Sequence, residues 1–302
     1  MAVVASMTSR LSITRVVLTV NDLDRVADFY HRSVGLDVVG CDAARAELGC
    51  GGDVLLELRR DASARRRSPR EAGLFHTAFL LPARADLARW LAHAAATRVP
   101  LVGASDHGVS EALYLSDPEG NGIEIYADRP PSAWKRRDGM VEMPSDPLDV
   151  ESLINATDGG TWQGFPAGST VGHVHLQVGA IAPAEAFYGG TLGLAVTCRY
   201  PGGTFYAANG YHHHLATNIW NSRGAGERTG PSTGLAEIQL QVPADDLAAI
   251  HARAPGTAMS SSGLVLRDPW GTALALSPSP TMDLFPPPQQ PDNRAPPIQT
   301  GR

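Results

Sequence analysis

The feature that most limits how this chain can fold is that it repeats itself. Ile13-Thr-Arg-Val-Val-Leu-Thr-Val20 aligns with Val171-Gly-His-Val-His-Leu-Gln-Val178, Phe29-Tyr30 with Phe187-Tyr188, and Gly35-Leu36 with Gly193-Leu194. All three pairs share one offset of 158 residues, so no gap is needed. A second correspondence runs at offset 161: Gly73-Leu-Phe-His-Thr-Ala-Phe-Leu-Leu-Pro82 against Gly234-Leu-Ala-Glu-Ile-Gln-Leu-Gln-Val-Pro243. Each is followed by a helix pattern that starts on acids, at 86–91 and 245–250, and later by Asp-Pro-x-Gly, at Asp117 and Asp268. Within each half an alternating β-branched strand, a helix of a few turns and two or three short strands broken by glycine turns occur twice. The third unit illustrates the pattern: a helix over 184–190, then strands over 194–200, 204–208 and 212–220. The chain therefore reads as α+β, two tandem modules made of four β-α-β-β-β units. Each short sheet carries a helix on its outer face and leaves the other free to curl around a cavity.

At roughly 150 residues per domain, a length of 302 fits two modules. We place them at 11–128 and 169–278. The connection over 129–168 reads as holding one short helix around 148–155, and residues 1–10 and the Pro-rich tail 279–302 read as flexible extensions. A composition 43% hydrophobic and 19% charged is that of a globular protein. The formal charge of −6 argues against a nucleic-acid or anionic-membrane binder, which leaves small organic ligands. Three cysteines at no metal-ligand spacing argue against a disulfide framework or a cysteine-built zinc site. No stretch approaches the roughly 18 apolar residues of a spanning helix, so a cytoplasmic protein is expected.

Side chains alternate along a strand, so Val174, Leu176 and Val178 share one face while His173, His175 and Gln177 share the other. If the apolar set meets the helix, both histidines point into the concave side. His76 stands near the start of the equivalent strand in the second unit. That unit ends in Asp117-Pro-Glu-Gly-Asn-Gly-Ile-Glu-Ile-Tyr126, a turn and then a strand in which Glu124 lies between Ile123 and Ile125. An isolated carboxylate buried there costs several kcal/mol or protonates. A divalent metal removes that cost.

The β-α-β-β-β duplication, the two Phe-Tyr-x-x-x-x-Gly-Leu segments and Asp-Pro-x-Gly-Asn-x-x-Glu resemble the vicinal oxygen chelate superfamily of glyoxalases, bleomycin resistance proteins and extradiol dioxygenases. Its metal ligands sit on the first and last strands of such units. Carried over by position, these places hold Arg15, His76, His173 and Glu237 on first strands, and Glu124 and Ala275 on last strands. The resemblance thus implies the ligand set His76, Glu124 and His173, a facial triad of the non-heme Fe(II) kind, with Mn(II) as the alternative metal. Tyr211-His-His-His-Leu-Ala216 is similar to the His-His-x-Leu-Ala segment of type I extradiol catechol dioxygenases and places their acid/base histidine on His213. Over roughly 11–278 the chain looks most like the catechol 2,3-dioxygenases of the Gram-positive type. Better-known two-module members keep all three ligands in the C-terminal half. Here Glu237 and Ala275 have vacated those places, so units two and three must pair across the halves, and neither half alone is expected to bind iron well.

The activity implied is extradiol cleavage of catechol or a substituted catechol by O₂, giving a 2-hydroxymuconic-semialdehyde-type product. His213 would take a substrate proton and later return one, a task suited to an imidazole whose ordinary pKa is near working pH. The run His212-His-His214 leaves its register open by one residue, and a slip reverses the face. His107 and Tyr114 fall where such enzymes hydrogen-bond the substrate hydroxyls, against the alternatives of a loop residue and a packed strand aromatic. Other features carry blander readings: Asp117 to Asn121 a structural turn, Arg65-Arg-Arg67 a solvated loop, His31, His93 and His251 surface or helix histidines. Trp134, Trp162 and Trp220 divide between a pocket mouth and packing. Two alternative functions stand beside the first: a glyoxalase-I-like isomerase with His213 or Glu57 as a fourth ligand to Zn(II) or Ni(II), and a metal-free bleomycin-resistance-like binding protein. A homo-oligomer is expected.

Overall fold

The computed structural model describes residues 11–279; the segment 1–10 and the tail from residue 280, both expected to be flexible, lie outside the described residues. Four units follow one another. The first holds β1 (Ser12–Val20), α1 (Leu23–Phe29), β2 (Asp37–Cys41), β3 (Arg45–Cys50) and β4 (Asp53–Arg60); the second holds β5 (Gly73–Leu81), α2 (Arg84–Thr97), β6 (Gly103–Asp106), β7 (Ser110–Ser116) and β8 (Gly122–Asp128). Within the connection lie the hairpin of β9 (Arg136–Arg137) and β10 (Met140–Val141), then β11 (Asp146–Pro147) and α3 (Val150–Ile154). The third unit holds β12 (Thr170–Gln177), α4 (Ile181–Ala184), β13 (Ala195–Tyr200), β14 (Gly203–Ala207) and β15 (Leu215–Asn218); the fourth holds β16 (Gly234–Val242), α5 (Ala244–Arg253), β17 (Met259–Ser260), β18 (Gly263–Arg267) and β19 (Ala273–Pro278).

In every unit the first strand lies parallel to the last: β1 to β4, β5 to β8, β12 to β15 and β16 to β19. The units then join through their first strands. β5 runs antiparallel to β12, and β1 antiparallel to β16, so the second unit faces the third and the first faces the fourth. Each cup is thus built from both halves of the chain, and the Ile13↔Val171 bridge between β1 and β12 stitches the cups into one sheet of 17 strands among the described residues. The outer faces bury one continuous core that includes Leu18, Leu56, Phe79, Leu176 and Leu240. Leu87, Trp90 and Ala94 fall on one face of α2 and are buried, and the Trp90 indole donates to Val34 O at 2.9 Å, tying the second unit to the first.

The helix expected over 184–190 is instead a single α-turn followed by a wider π-helix, Glu185–Thr191, closed by Leu192 N to Phe187 O at 2.9 Å. Such π-helices are rare and occur mostly as single turns inserted in helices. The same widening follows α1, over Tyr30–Val34, and ends at Gly35 with φ of 101°. Tyr188 Oη donates to Asp268 Oδ2 at 2.8 Å, so the Phe-Tyr segment and an Asp-Pro-x-Gly turn are in contact.

A second correction concerns the strand expected over 212–220, which covers only Leu215–Asn218. Tyr211 to His214 form a turn, with Tyr211 N bonded to Ala208 O at 3.3 Å and His214 N to Tyr206 O at 2.8 Å, so strand alternation says nothing about these histidines. Nor is Arg65-Arg-Arg67 a free solvated loop. Arg65 pairs with Glu71 at 2.7 Å, Arg66 with Glu119 at 3.3 Å, and the partly buried Arg67 guanidinium donates to Leu74 O and Gly120 O. Trp134 is buried and Trp162 packs on Phe165, whereas Trp220 stands at a cavity. Cys41, Cys50 and Cys198 are all free thiols. Among the described residues no helix is long and apolar enough to cross a membrane.

Candidate metal centre

The site grows out of the β5–β12 pairing. His76 on β5 lies directly opposite His175 on β12, and a register shift between Val171 and His173 sets His173 beside them. Glu124 comes from β8, parallel to β5. Two glycines make room for this approach. A Cβ on Gly172 would fall 1.8 Å from Tyr126 Oη, and one on Gly122 would fall 2.1 Å from the Phe75 carbonyl. Glu124 follows from the turn at Asp117, whose Oδ1 accepts from Glu119 N at 2.8 Å and Asn121 N at 2.9 Å while Oδ2 accepts from the Asn121 amide at 2.7 Å.

His76, Glu124 and His173 are all buried, and one donor atom from each lies within 4.8 Å of the other two. Glu124 Oε2 is 3.0 Å from His76 Nε2 and 3.2 Å from His173 Nε2. These separations match the edge of an octahedron with bonds of ~2.1 Å, which is about 3.0 Å. The His76 Nε2 atom is buried and in no hydrogen bond despite its carboxylate neighbour, as is fitting for a nitrogen aimed at a common point instead of at Glu124. Burial pushes His173 down to about 4, with the Glu124 charge pulling the other way, so its ring is neutral near pH 7. Burial raises Glu124, but the facing His173 and His76 outweigh it and hold the carboxyl well below its usual range. Two imidazole nitrogens and one carboxylate at these distances fit a divalent cation.

Around this cluster lies a cavity of about 420 Å³, lined by His107, Tyr114, His175 and His213 as well as by the triad. His107 Nδ1 is 2.7 Å from Pro144 O, which only accepts, so that nitrogen carries the proton. Nε2 is then the acceptor for Tyr114 Oη at 2.7 Å. Burial, then the Glu124 charge, raises the Tyr114 phenol well above 10, keeping it protonated. Asn218 Oδ1 accepts from Trp220 N at 3.2 Å, so its amide nitrogen donates to His175 Nε2 at 3.0 Å.

His213 enters the cavity from the turn. Its ring lies 4.0 Å, centroid to centroid, from that of His173, but it is not in the triad. Its Nδ1 is 2.7 Å from His212 Nδ1, and His212 Nε2 is 2.9 Å from Asp128 Oδ1. A carboxylate only accepts, so with one proton on each ring His212 carries its proton on Nε2 and receives one at Nδ1 from His213. His213 Nε2 is thereby left as a bare lone pair. Burial, reinforced by His173 and His212, pushes the His213 imidazole well below its ordinary value.

Asp128 and Tyr126 were not foreseen beside this cluster, and His212 figured only as a register alternative to His213. Glu124, Tyr126 and Asp128 lie at every second residue of β8, a face that period-two alternation predicts. Glu57 lies in the other cup, bonded to Arg15 at 2.8 Å and Arg59 at 2.7 Å, so it is no fourth ligand here. Glu237 accepts from Gln239 at 2.8 Å. His31, His93 and His251 each bond a backbone carbonyl.

A model of the glyoxalase/bleomycin resistance protein/dioxygenase superfamily matches residues 12–125. The chain is 40% identical over 235 residues to the catechol-2,3-dioxygenase of Bacillus subtilis (strain 168), covering 75% of this chain and 81% of that one. Among solved structures, a Bacillus subtilis protein provisionally described as a dioxygenase superposes with a TM-score of 0.58 at 15% identity, covering 91% of this chain and 86% of that one. Glyoxalase I from Zea mays does so with a TM-score of 0.52 at 15% identity, covering 89% and 92%.

Proposed function

Because the chain belongs to the glyoxalase/bleomycin resistance/dioxygenase superfamily, we propose that it is an Fe(II)-dependent extradiol dioxygenase that cleaves the ring of catechol or a substituted catechol. The observation that carries this reading is a facial triad of His76, His173 and Glu124 beside a histidine outside the ligand set, His213. The catechol-2,3-dioxygenase named above supports it. An Fe(II) held by the triad would supply the redox chemistry that couples a catecholate to dioxygen, and Mn(II) has the same ligand preferences.

The remaining steps fall to side chains. Tyr114 Oη accepts a hydrogen bond from one substrate hydroxyl and is fixed in place by His107. His213 Nε2, bare and buried, accepts the proton of the other hydroxyl; the charge that appears on His213 is stabilised by its hydrogen bond to His212, which Asp128 orients. The imidazolium would then return that proton to an oxygen atom of the substrate being cleaved. Both oxygen atoms enter the product, so no external reductant is needed. An isomerase of glyoxalase type asks for a second carboxylate, whereas Glu124 is the one acid among the residues lining the cavity. Three unpaired thiols support a reducing, cytoplasmic setting, and a homo-oligomer is part of the proposal.

The test is direct. Protein purified without oxygen is assayed for iron, then given catechol and O₂ while the yellow ring-fission product is followed by absorbance. Iron-replete protein that yields no such product from catechol or any substituted catechol would refute the proposal.

A further inference from the structure

We infer that the cavity is shaped for an uncharged catechol bearing an apolar alkyl or aryl substituent, and that it discriminates against catechols whose substituent ends in a carboxylate. The inference rests on the ring-cleavage reading above and adds to it a substrate class.

A ladder of rings leads from the metal centre to the surface. Phe75 lies 5.3 Å from His76, 4.9 Å from His175 and 5.4 Å from Trp220, and Trp220 lies 6.3 Å from Tyr200. Trp220 and Tyr200 are 44% and 42% exposed, so this end is the mouth. Val102, Leu115, Ile123 and Met143 supply further apolar lining. At about 420 Å³ the cavity is in the range that holds ligands well beyond a single six-membered ring, so a bare catechol leaves part of the apolar wall uncovered.

Charge selects in the same direction. No Lys or Arg lines this cavity, and its one acid is Glu124. A larger open cavity of about 810 Å³ adjoins it through Met143 and Tyr200, but three of its cations are committed. Arg129 pairs with Asp106 at 2.7 Å, Arg137 with Glu142 at 2.7 Å and Arg199 with Glu185 at 3.0 Å. The fourth, Lys135, lines only the outer cavity. A carboxylate lying on the ring ladder would shed water and meet no opposite charge.

Apolar burial is worth about four-fold in affinity per methylene. An ethyl group on the ladder should therefore tighten binding about fifteen-fold over catechol, and a carboxymethyl group in its place should weaken binding about ten-fold. The experiment titrates iron-loaded protein under argon with catechol, 4-ethylcatechol and 3,4-dihydroxyphenylacetate, read by tryptophan fluorescence and calorimetry, and then measures oxygen uptake with each. The expected order is ethyl, then unsubstituted, then acid. Trp220→Arg, with circular dichroism and iron content unaltered, should shift the acid-to-ethyl affinity ratio at least ten-fold toward the acid. An acid that binds the unaltered protein as tightly as 4-ethylcatechol overturns the inference, as does a ratio unmoved by Trp220→Arg. If catechol is cleaved but the acid is preferred, this inference fails and the ring-cleavage reading stands. If the neutral diols bind in the expected order and none is cleaved, the ring-cleavage reading fails and the selectivity stands.

Discussion

Removing the Asp128 carboxylate tests whether proton placement on His213 is set from outside the cavity. Asp128 accepts from His212 Nε2 at 2.9 Å and from Tyr211 Oη at 2.9 Å, and Tyr211 in turn receives Tyr126 Oη at 2.9 Å. In Asp128→Ala nothing holds the His212 proton on Nε2, and His213 is free to put its own proton on the nitrogen that must act as base. A charge-assisted hydrogen bond contributes about 1.5–3 kcal/mol. The Asp128 side chain is 23% exposed, which favours the lower part of that range, about 2 kcal/mol, or ~30-fold in kcat. Asp128→Asn separates two effects. Its amide oxygen still accepts from His212, so the tautomer survives and only the charge is lost, at about 1 kcal/mol or ~5-fold. The assay is steady-state oxygen uptake with catechol across pH, on protein whose iron is quantified, since neither variant touches the triad. Asp128→Ala with unaltered kcat at full iron load would refute the reasoning. Equal losses in the two variants would refute it too, because packing alone would then account for both.

Three further outcomes are expected. His213→Ala should keep its iron, by elemental analysis, and lose about 10²–10⁴ in kcat; loss of iron instead makes His213 a ligand. Glu124→Gln should retain less than about a tenth of the iron under the same loading while its circular dichroism is unaltered, because one of three donors becomes a neutral amide. Stability of the metal-free protein should fall with acidification. His173 and His214 are both lowered from 6.5 to about 4 by burial, so between those values the unfolded chain binds protons that the folded chain does not. Stability therefore rises with pH across that window, each histidine contributing up to about 3 kcal/mol, and the urea midpoint should be lower at pH 5 than at pH 7.

The repeat made the large design legible. Constant offsets pair His173 with Arg15 and His76 with Glu237, and the vacated positions of Glu237 and Ala275 require the second and third units to meet, as β5 and β12 do. Patterns of that kind are written in periodicity, which a sequence displays. The base side of the site was only half legible. His212 and His213 lie in a turn, where backbone hydrogen bonds of Ala208 and Tyr206 set the geometry and no period exists to be read. Asp128 was readable in principle, four residues past Glu124 on one strand face. Its role was hidden because it depends on a partner 84 residues away. The π-turns after Phe29 and Ala184 escaped for a similar reason, since hydrogen-bond spacing inside a helix leaves little trace in hydrophobic pattern.

The pairing of β5 with β12 has a consequence for how the protein is made. At ~5–20 residues per second, the ribosome needs about 5–20 s to proceed from Leu81 at the end of β5 to Gln177 at the end of β12. Throughout that interval β5 presents an apolar edge with no neighbour, on a nascent chain that already carries His76. An edge in that condition pairs with whatever matching strand arrives, including β12 of another polysome-bound copy. Because every copy carries both strands, such an exchange yields an interlocked dimer in which His76 and Glu124 of one molecule meet His173 of the other. Its centres would be complete, so the exchange would escape any quality control that senses only an empty site.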